Sequence, residues 1–128
     1  MKSVKEGCSV GDCGSCNVIV DGRLVNSCMT LTIQARGSEI ITCEGLGSEQ
    51  NLHPLQKAFA DASVPQCGYC IPGFIVQTSA LLAEDPNPSD EAVRAALDGN
   101  LCRCGGYARI LMAVDRARRL GQERGSRP

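Results

Sequence analysis

Cysteine spacing restricts the fold of this chain more than any other feature of its sequence. Eight of the nine cysteines fall into two sets of four. One set follows the pattern C-x4-C-x2-C with a fourth cysteine further along, and the other joins a C-x2-C to a C-x-C. Two sets of four thiols in 128 residues indicate two metal sites, which suggests a chain that passes electrons between partners. The first set is Cys8, Cys13, Cys16 and Cys28, and the second is Cys67, Cys70, Cys102 and Cys104.

The spacing of the first set is typical of plant-type [2Fe–2S] sites. Zinc fits this set poorly, because a third nearby cysteine crowds one C-x2-C knuckle. For the second set, spacing alone leaves iron–sulfur and zinc equally open. A disulfide framework would require an exported protein. The N-terminus shows no apolar signal region, so we expect a cytoplasmic chain with metal-bound thiols.

Composition argues against several other functions. The formal net charge is −1 at pH 7, aromatic residues make up 3% of the chain, and tryptophan is absent. We therefore expect no nucleic-acid binding, which relies on basic surfaces and aromatic stacking. No apolar run is long enough to predict a membrane span. Lobes this small bury little apolar surface, so bound metal would also stabilise the fold.

The first part of the chain predicts a small sheet beside a glycine-rich cysteine loop, and the second part predicts four helices. Asp21-Gly22 predicts a two-residue hairpin turn that brings Cys28 back to the loop. Ser89 is the predicted N-cap of the third helix, and Gly121 the predicted end of the fourth. We expect strands over residues 17–20, 23–28 and 39–43, a linker over 45–47, and helices that begin near Pro54, Pro72, Ser89 and Tyr107.

Both cysteine pairs of the second set directly precede a predicted helix. If those helices pack side by side, their free N–H groups and positive dipole ends face four thiolates. This setting lowers thiol pKa values and favours an anionic cluster. Glycines near the cysteines let the backbone approach sulfur closely. They are Gly7, Gly11 and Gly14 in the first lobe and Gly68, Gly105 and Gly106 in the second.

Several other residues have simpler interpretations. Cys43, the ninth cysteine, is predicted to be a small buried residue in a strand. His53 is predicted to cap or orient the first helix. On chemistry alone, Gln66 could bond to loop backbone. The arginines of the last helix suit a helix C-terminus and are predicted to form a solvated face. They are Arg116, Arg118 and Arg119.

Longer motifs surround the cysteines, over residues 5–16, 20–22, 26–28, 44–46, 52–56, 66–73 and 99–104. Together they resemble the small iron–sulfur subunit of molybdenum hydroxylases, the superfamily of xanthine dehydrogenase and carbon monoxide dehydrogenase. The likeness extends over nearly the whole chain, up to about Ala117. It implies that the second set also binds a [2Fe–2S] cluster.

The resemblance implies an α+β fold. Residues 1–47 would form a partial ferredoxin-like β-grasp lobe, residues 48–120 a four-helix-bundle [2Fe–2S]-binding domain, and residues 121–128 a polar tail. Relatives have two strands and a helix before the cysteine loop, so these elements are expected to be missing here. The residues that correspond to Gln66 and Cys104 contact the pterin in relatives, and we expect the same contacts in this protein.

The resemblance also implies a function. The chain would be the electron-transfer subunit of an oxidoreductase, with no catalytic residue and no organic substrate of its own. Its partners in a heterotrimer would be two further chains, a large molybdopterin subunit plus a medium FAD subunit. Electrons would pass from molybdenum to the second cluster, then to the first, and then to FAD. Two alternatives stay open, a stand-alone ferredoxin-like carrier and a zinc-stabilised interaction module.

Overall fold

A small antiparallel sheet is followed by four helices in the part of the chain that the structure describes. The computed structural model describes residues 2–125, with side chains over residues 2–121. This order matches the predicted succession of strands and helices. The strands are β1 (Asn17–Val20), β2 (Arg23–Asn26) and β3 (Ile40–Ile41), and the helices are α1 (Pro54–Asp61), α2 (Ile71–Glu84), α3 (Asp90–Leu97) and α4 (Tyr107–Gly125).

The predicted hairpin is present. Asp21 and Gly22 have positive φ angles of 48° and 79°, as a two-residue type I′ turn requires. β1 therefore pairs antiparallel with β2, and Asn17 lies opposite Asn26 at the far end of the ladder. β1 occupies the centre of the sheet, between β2 and β3.

Two strands are shorter than predicted. β2 ends at Asn26 rather than at Cys28, because β1 has no residue left to pair beyond this point and a 3₁₀ turn takes up Ser27–Met29. The N–H of Ser27 donates to the carbonyl of Cys16 (3.2 Å), so Cys28 still returns to the cysteine loop. β3 has two residues, and a 3₁₀ segment over Cys43–Leu46 takes up the last residue of the predicted strand and most of the predicted linker.

Side-chain caps define the starts of two helices. The Nδ1 atom of His53 accepts the N–H of Leu55 (3.3 Å), and the side chain of Gln56 accepts the N–H of His53 (2.8 Å). This reciprocal arrangement is a capping box, and it confirms the capping role predicted for His53. The hydroxyl of Ser89 accepts the N–H of Ala92 (3.1 Å), which confirms the predicted N-cap of α3.

Helix α4 runs further than predicted. It passes through Gly121, where the sequence predicted its end, and reaches Gly125. One glycine inside a helix costs only about 1 kcal/mol relative to alanine, which is too little to stop a long helix. The first residues of the predicted polar tail are therefore helical, and residues 126–128 lie outside the described residues. No helix among residues 2–125 has the length and apolar character needed to cross a membrane.

The sheet and the helices share one apolar core. Ile19 of β1 and Cys43 are buried in the same cluster as Phe59 of α1, Phe74 of α2 and Val114 of α4. Helix α2 packs on β1 and on α3, while α1 packs on α4. This packing places the N-terminus of α2 against the cysteine loop that precedes β1. The domain boundary expected between residues 47 and 48 stays a prediction.

Candidate metal centres

The structure brings the first cysteine set together as two pairs. The thiol of Cys13 hydrogen-bonds to that of Cys8, and the thiol of Cys16 to that of Cys28. The charges of Cys8 and Cys16 both act on Cys28, so the two pairs are neighbours. Cys13 and Cys16 are buried, whereas Cys8 and Cys28 are half-buried. One side of this site therefore faces the protein and the other faces the surface.

Backbone N–H groups surround the sulfur of Cys8. The N–H of Asp12 donates to it (3.3 Å), and the N–H groups of Val10 and Cys13 do so as well. These bonds, above all the one from Val10, lower the pKa of the Cys8 thiol to about 6. Gly11, with a φ of 83°, gives the loop the left-handed turn that aims these groups at sulfur. The lowered pKa favours the thiolate of Cys8, which is the form that binds metal.

The pKa of the Cys28 thiol is shifted in the opposite direction. The hydrogen bond with Cys16 raises the pKa of the Cys28 thiol, and burial raises it further. A bound metal cation offsets both effects, because it stabilises the thiolate and displaces the proton. Metal binding at Cys28 would therefore be coupled to proton release.

The second cysteine set also forms two pairs. The sulfurs of Cys67 and Cys104 lie 3.5 Å apart, and the thiol of Cys102 hydrogen-bonds to that of Cys70. Cys70 is the N-cap residue of α2, and Cys102 and Cys104 closely precede α4. The two helices therefore begin at one place, as predicted. Cys67 and Cys104 are exposed, while Cys70 is buried and Cys102 half-buried.

The exposed Cys67 and the buried Cys70 of the second site differ in the pKa of their thiols. The N–H of Tyr69 is the main cause that lowers the pKa of the exposed Cys67 thiol. Burial raises the pKa of the Cys70 thiol to about 12. The N–H of Gly106 donates to the sulfur of Cys102 (3.4 Å), which is the close backbone approach predicted for this glycine. The thiolate is therefore favoured at Cys67 and disfavoured at Cys70, where a bound cation would stabilise it.

The sulfur geometry fits metal coordination better than disulfide bonding. A disulfide requires sulfurs about 2.05 Å apart, whereas Cys67 and Cys104 are 3.5 Å apart and all nine cysteines are free. A tetrahedral metal with bonds of about 2.3 Å to sulfur sets two thiolates about 3.8 Å apart. The separation between the sulfurs of Cys67 and Cys104 is close to that value, as expected for two thiols that share a metal.

The two cysteine sites are in direct contact. The N–H of Leu101, which adjoins a cysteine of the second site, donates to the carbonyl of Cys13 (3.0 Å). Helix α2 lies so close to the first loop that a Cβ at Gly73 would be 2.2 Å from the carbonyl oxygen of Gly14. Asn100, which is 2% exposed, packs beneath the same loop, with its amide nitrogen 2.5 Å from where a Cβ at Gly14 would be.

Gln66 and Cys43 have the surroundings that their side-chain chemistry predicts. Gln66 is exposed beside the second site, and its side-chain amide donates to the carbonyl of Cys104 (3.3 Å). Cys43 is buried as predicted, although it lies in a 3₁₀ segment, and its carbonyl accepts from the side chain of Gln56 (2.8 Å). Burial raises the pKa of the Cys43 thiol, which favours its protonated form.

The prediction that three arginines form a solvated face on α4 is wrong for one of them. The side chain of Arg118 is 16% exposed, whereas those of Arg116 and Arg119 are 53% and 73% exposed. The guanidinium of Arg118 donates to the carbonyl of Pro88 (2.6 Å) and to the carboxylate of Asp90 (2.8 Å). Because both acceptors lie at the start of α3, Arg118 joins α4 to α3.

Sequence reasoning assigned no role to the two tyrosines of the chain. The hydroxyl of Tyr69 donates to the carbonyl of Glu6 (2.7 Å), and the hydroxyl of Tyr107 accepts the N–H of Cys102 (2.8 Å). Both contacts involve the immediate surroundings of the cysteine sites. The sequence feature that could have indicated a role is the position of Tyr69 between the two cysteines of a C-x2-C motif. A large side chain at this position lies close to the metal site.

Known proteins resemble this chain in sequence. The model of the [2Fe-2S] binding domain family matches residues 42–115. The nicotinate dehydrogenase small FeS subunit of Eubacterium barkeri is 49% identical over 114 residues, which are 89% of this chain and 73% of that protein. The xanthine dehydrogenase iron-sulfur-binding subunit of Escherichia coli O157:H7 is 47% identical over 115 residues, which are 88% of this chain and 72% of the relative.

Solved structures extend the likeness to the fold. Quinoline 2-oxidoreductase from Pseudomonas putida 86 superposes with a TM-score of 0.86 at 40% identity, over 95% of this chain and 76% of that chain. Aldehyde oxidoreductase from Desulfovibrio gigas gives a TM-score of 0.88 at 44% identity, over 98% of this chain and 14% of that chain. This chain therefore belongs to the [2Fe–2S]-binding family of small iron–sulfur subunits found in oxidoreductases of the molybdenum hydroxylase superfamily.

Proposed function

We propose that this chain carries electrons through two [2Fe–2S] clusters, between the molybdopterin and FAD subunits of a molybdenum hydroxylase. The observation that carries the proposal is the arrangement of eight thiols as two pairs at each of two sites. A [2Fe–2S] cluster, when bound, supplies a one-electron carrier. Its proposed ligands are Cys8 with Cys13 and Cys16 with Cys28 at one site, and Cys67 with Cys104 and Cys70 with Cys102 at the other.

The proposal assigns each of the two cluster sites to its own domain. Residues 1–47 would form the ferredoxin-like lobe around the first site, and residues 48–120 the four-helix bundle around the second. The family model that matches residues 42–115 supports a separate unit around the second site, and the solved oxidoreductases cover 95% and 98% of the chain. Each lobe would be stabilised by its own bound metal.

The exposure of the thiols supports an orientation for this chain in the complex. At the second site, Cys67 and Cys104 face the surface, with Gln66 exposed beside them. We assign this edge to the molybdopterin subunit, with Gln66 and Cys104 as the residues that contact the pterin. The inner part of the site leads to the hydrogen bond between Leu101 and Cys13, and so to the first site. The half-buried Cys8 and Cys28 then face the FAD subunit.

Metal and sulfide analysis of the native protein tests the cluster assignment. We expect about four iron ions and about four acid-labile sulfides per chain, as two [2Fe–2S] clusters require. After reduction with dithionite, electron paramagnetic resonance should show two distinct binuclear signals. Zinc in place of iron would reject the proposal and favour a zinc-stabilised interaction module.

Purification of the native protein under mild conditions tests the partner assignment. We expect larger subunits to copurify, together with bound flavin and molybdopterin. A chain that carries both clusters but always elutes alone, at every salt concentration, would contradict this part of the proposal. That result would favour a stand-alone ferredoxin-like carrier.

Substitution of Gln66 tests the proposed edge for electron entry. In the intact complex, Gln66→Ala should leave the iron content unchanged and slow reduction of the clusters by substrate. Gln50→Ala is the matched control, because Gln50 is another exposed glutamine outside both cysteine motifs. Equal reduction rates in the two variants would refute the role assigned to Gln66.

A further inference from the structure

Tyr69 connects the two cysteine sites through its two ends. Its backbone N–H bonds to the sulfur of Cys67 in the second site. Its hydroxyl donates to the carbonyl of Glu6 (2.7 Å), which lies 63 positions earlier in the chain and two residues before Cys8. A single side chain therefore extends from the loop of one site to the loop of the other.

The segment that Tyr69 contacts covers the first site. The N–H of Lys5 donates to the carbonyl of Ser15 (3.1 Å), which holds this segment against the cysteine loop. A Cβ at Gly7 would lie 2.7 Å from the sulfur of Cys13, so the backbone here runs directly over that thiol. The Tyr69 hydroxyl thus attaches to backbone that is itself fixed to the first site.

The hydrogen bond made by Tyr69 differs in kind from the two backbone contacts between the sites, and the packing of Asn100 on Gly14 includes no side-chain hydrogen bond. Leu101 donates to Cys13 through its backbone N–H, and Gly73 approaches Gly14 through backbone alone. Only the Tyr69 contact, among these three, is made by a side-chain atom. Replacing tyrosine with phenylalanine removes that one hydroxyl and keeps the ring, so the contact can be deleted without altering the loop backbone.

We infer that Tyr69 is a positioning residue whose hydroxyl holds the two sites at a fixed separation. The inference rests on the proposed function, since the separation matters because two clusters exchange electrons. The Tyr69 hydroxyl restrains the segment over Cys13 relative to the loop of Cys67 and Cys70. Without it, the first loop moves more freely against the second, and the distance between the clusters becomes longer and more variable.

The experiment compares the intact complex with its Tyr69→Phe and Tyr107→Phe variants. Tyr107→Phe is the matched control. The Tyr107 hydroxyl accepts the N–H of Cys102, so both partners of this hydrogen bond lie at the second site. The first measurement is the magnetic splitting between the two reduced clusters by electron paramagnetic resonance, which falls with the cube of their separation. The second is hydrogen exchange of the Lys5 amide, which reports opening of the segment that Tyr69 holds.

We expect Tyr69→Phe to reduce or broaden the splitting while each site keeps its iron, and to speed exchange at Lys5 by about two- to tenfold. Tyr107→Phe should leave both quantities as in the wild type. An unchanged splitting in Tyr69→Phe would overturn this inference and would not affect the proposed function. Unchanged exchange at Lys5 would overturn it even if the variant bound less iron. A wild-type protein without two binuclear signals would instead show that the proposed function has failed.

Discussion

Glycine is required at position 73 by a contact across the molecule rather than by its own helix. A Cβ there would lie 2.2 Å from the carbonyl oxygen of Gly14, in the loop that carries Cys13 and Cys16. We expect Gly73→Ala to lower the free energy of unfolding by about 1–3 kcal/mol, the usual cost of overpacking. It should also lower iron binding at the first site. Urea unfolding and iron analysis measure the two effects.

Gly121→Ala is the matched control for this substitution. Gly121 is also helical, but a Cβ there would meet no atom within 4 Å. Because alanine is the better helix former by about 1 kcal/mol, this variant should be at least as stable as the wild type and bind the same amount of iron. Equal stability of the two variants would contradict the close approach of α2 to the loop.

Glu44 should make the stability of the N-terminal segment depend on pH. Its carboxylate accepts bonds from the N–H groups of Lys2 (2.6 Å) and Ser3 (2.8 Å) and from the hydroxyls of Ser3 and Thr42. The Ser3 hydroxyl is the main cause that lowers the pKa of Glu44 well below its ordinary value of 4.5. A lowered folded pKa means that this stabilisation is complete above pH 4.5 and is lost as the pH falls further.

The measurement is urea unfolding of the wild type and of Glu44→Gln at neutral and at acidic pH. We expect the variant to be less stable at pH 7 and the difference to shrink as the pH falls below 4.5. Glu49→Gln is the control, because Glu49 is exposed in the neighbouring turn and should show no such difference. A gap between wild type and Glu44→Gln that stayed constant with pH would contradict the role of the carboxylate.

How far the sequence predicts a residue's role depends on where its partner lies along the chain. His53 and Ser89 cap their helices through atoms two or three residues away, so a local pattern was enough to predict both caps. Tyr69 bonds to Glu6, and Gly73 packs on Gly14. These partners are about sixty residues distant, and no local pattern indicates which residue a folded chain brings there.

At the scale of helices and strands, Arg118 is expected to be the main polar connection between α3 and α4. Its guanidinium bonds to the carbonyl of Pro88 and to the carboxylates of Asp90 and Asp115, at 2.6, 2.8 and 2.7 Å. We expect Arg118→Ala to lower the free energy of unfolding by about 1–2 kcal/mol, because a carbonyl and two carboxylates lose a charged donor. Denaturant unfolding measures this loss.

Arg119→Ala provides the comparison on the same helix. Arg119 is 73% exposed and pairs with Asp115 (2.8 Å). Exposed pairs of this kind contribute at most about 0.5 kcal/mol. A loss in Arg119→Ala as large as that in Arg118→Ala would show that both arginines act through general charge and not through the connection to α3.

The order of strands and helices was predicted from the sequence, but several of their ends were not. Turn and cap residues such as Asp21-Gly22 and Ser89 identify where an element starts or reverses. The ends of β2 and β3 depend on how many residues the neighbouring strand offers for pairing. The burial of Arg118 likewise depends on the packing of α3 against α4, which the periodicity of α4 alone does not indicate.

At the scale of the whole molecule, the described residues share one apolar core, and several contacts join the two lobes that the sequence predicts. Ile19 and Cys43 belong to the same apolar cluster as the helices. The cysteine loop of the first lobe contacts the second through Cys13, Gly14 and Glu6. Lobes this small gain much of their stability from such shared burial.

We therefore expect the two lobes to unfold together. Under anaerobic conditions, the denaturant midpoint for loss of the first cluster's paramagnetic signal should coincide with the midpoint for loss of helical circular dichroism, as in a two-state transition. Gly73→Ala should shift both midpoints by the same amount, because the contact it disturbs belongs to both lobes. If the first cluster were lost well before the helices, or if only one midpoint moved, the boundary between residues 47 and 48 would separate two independently stable units.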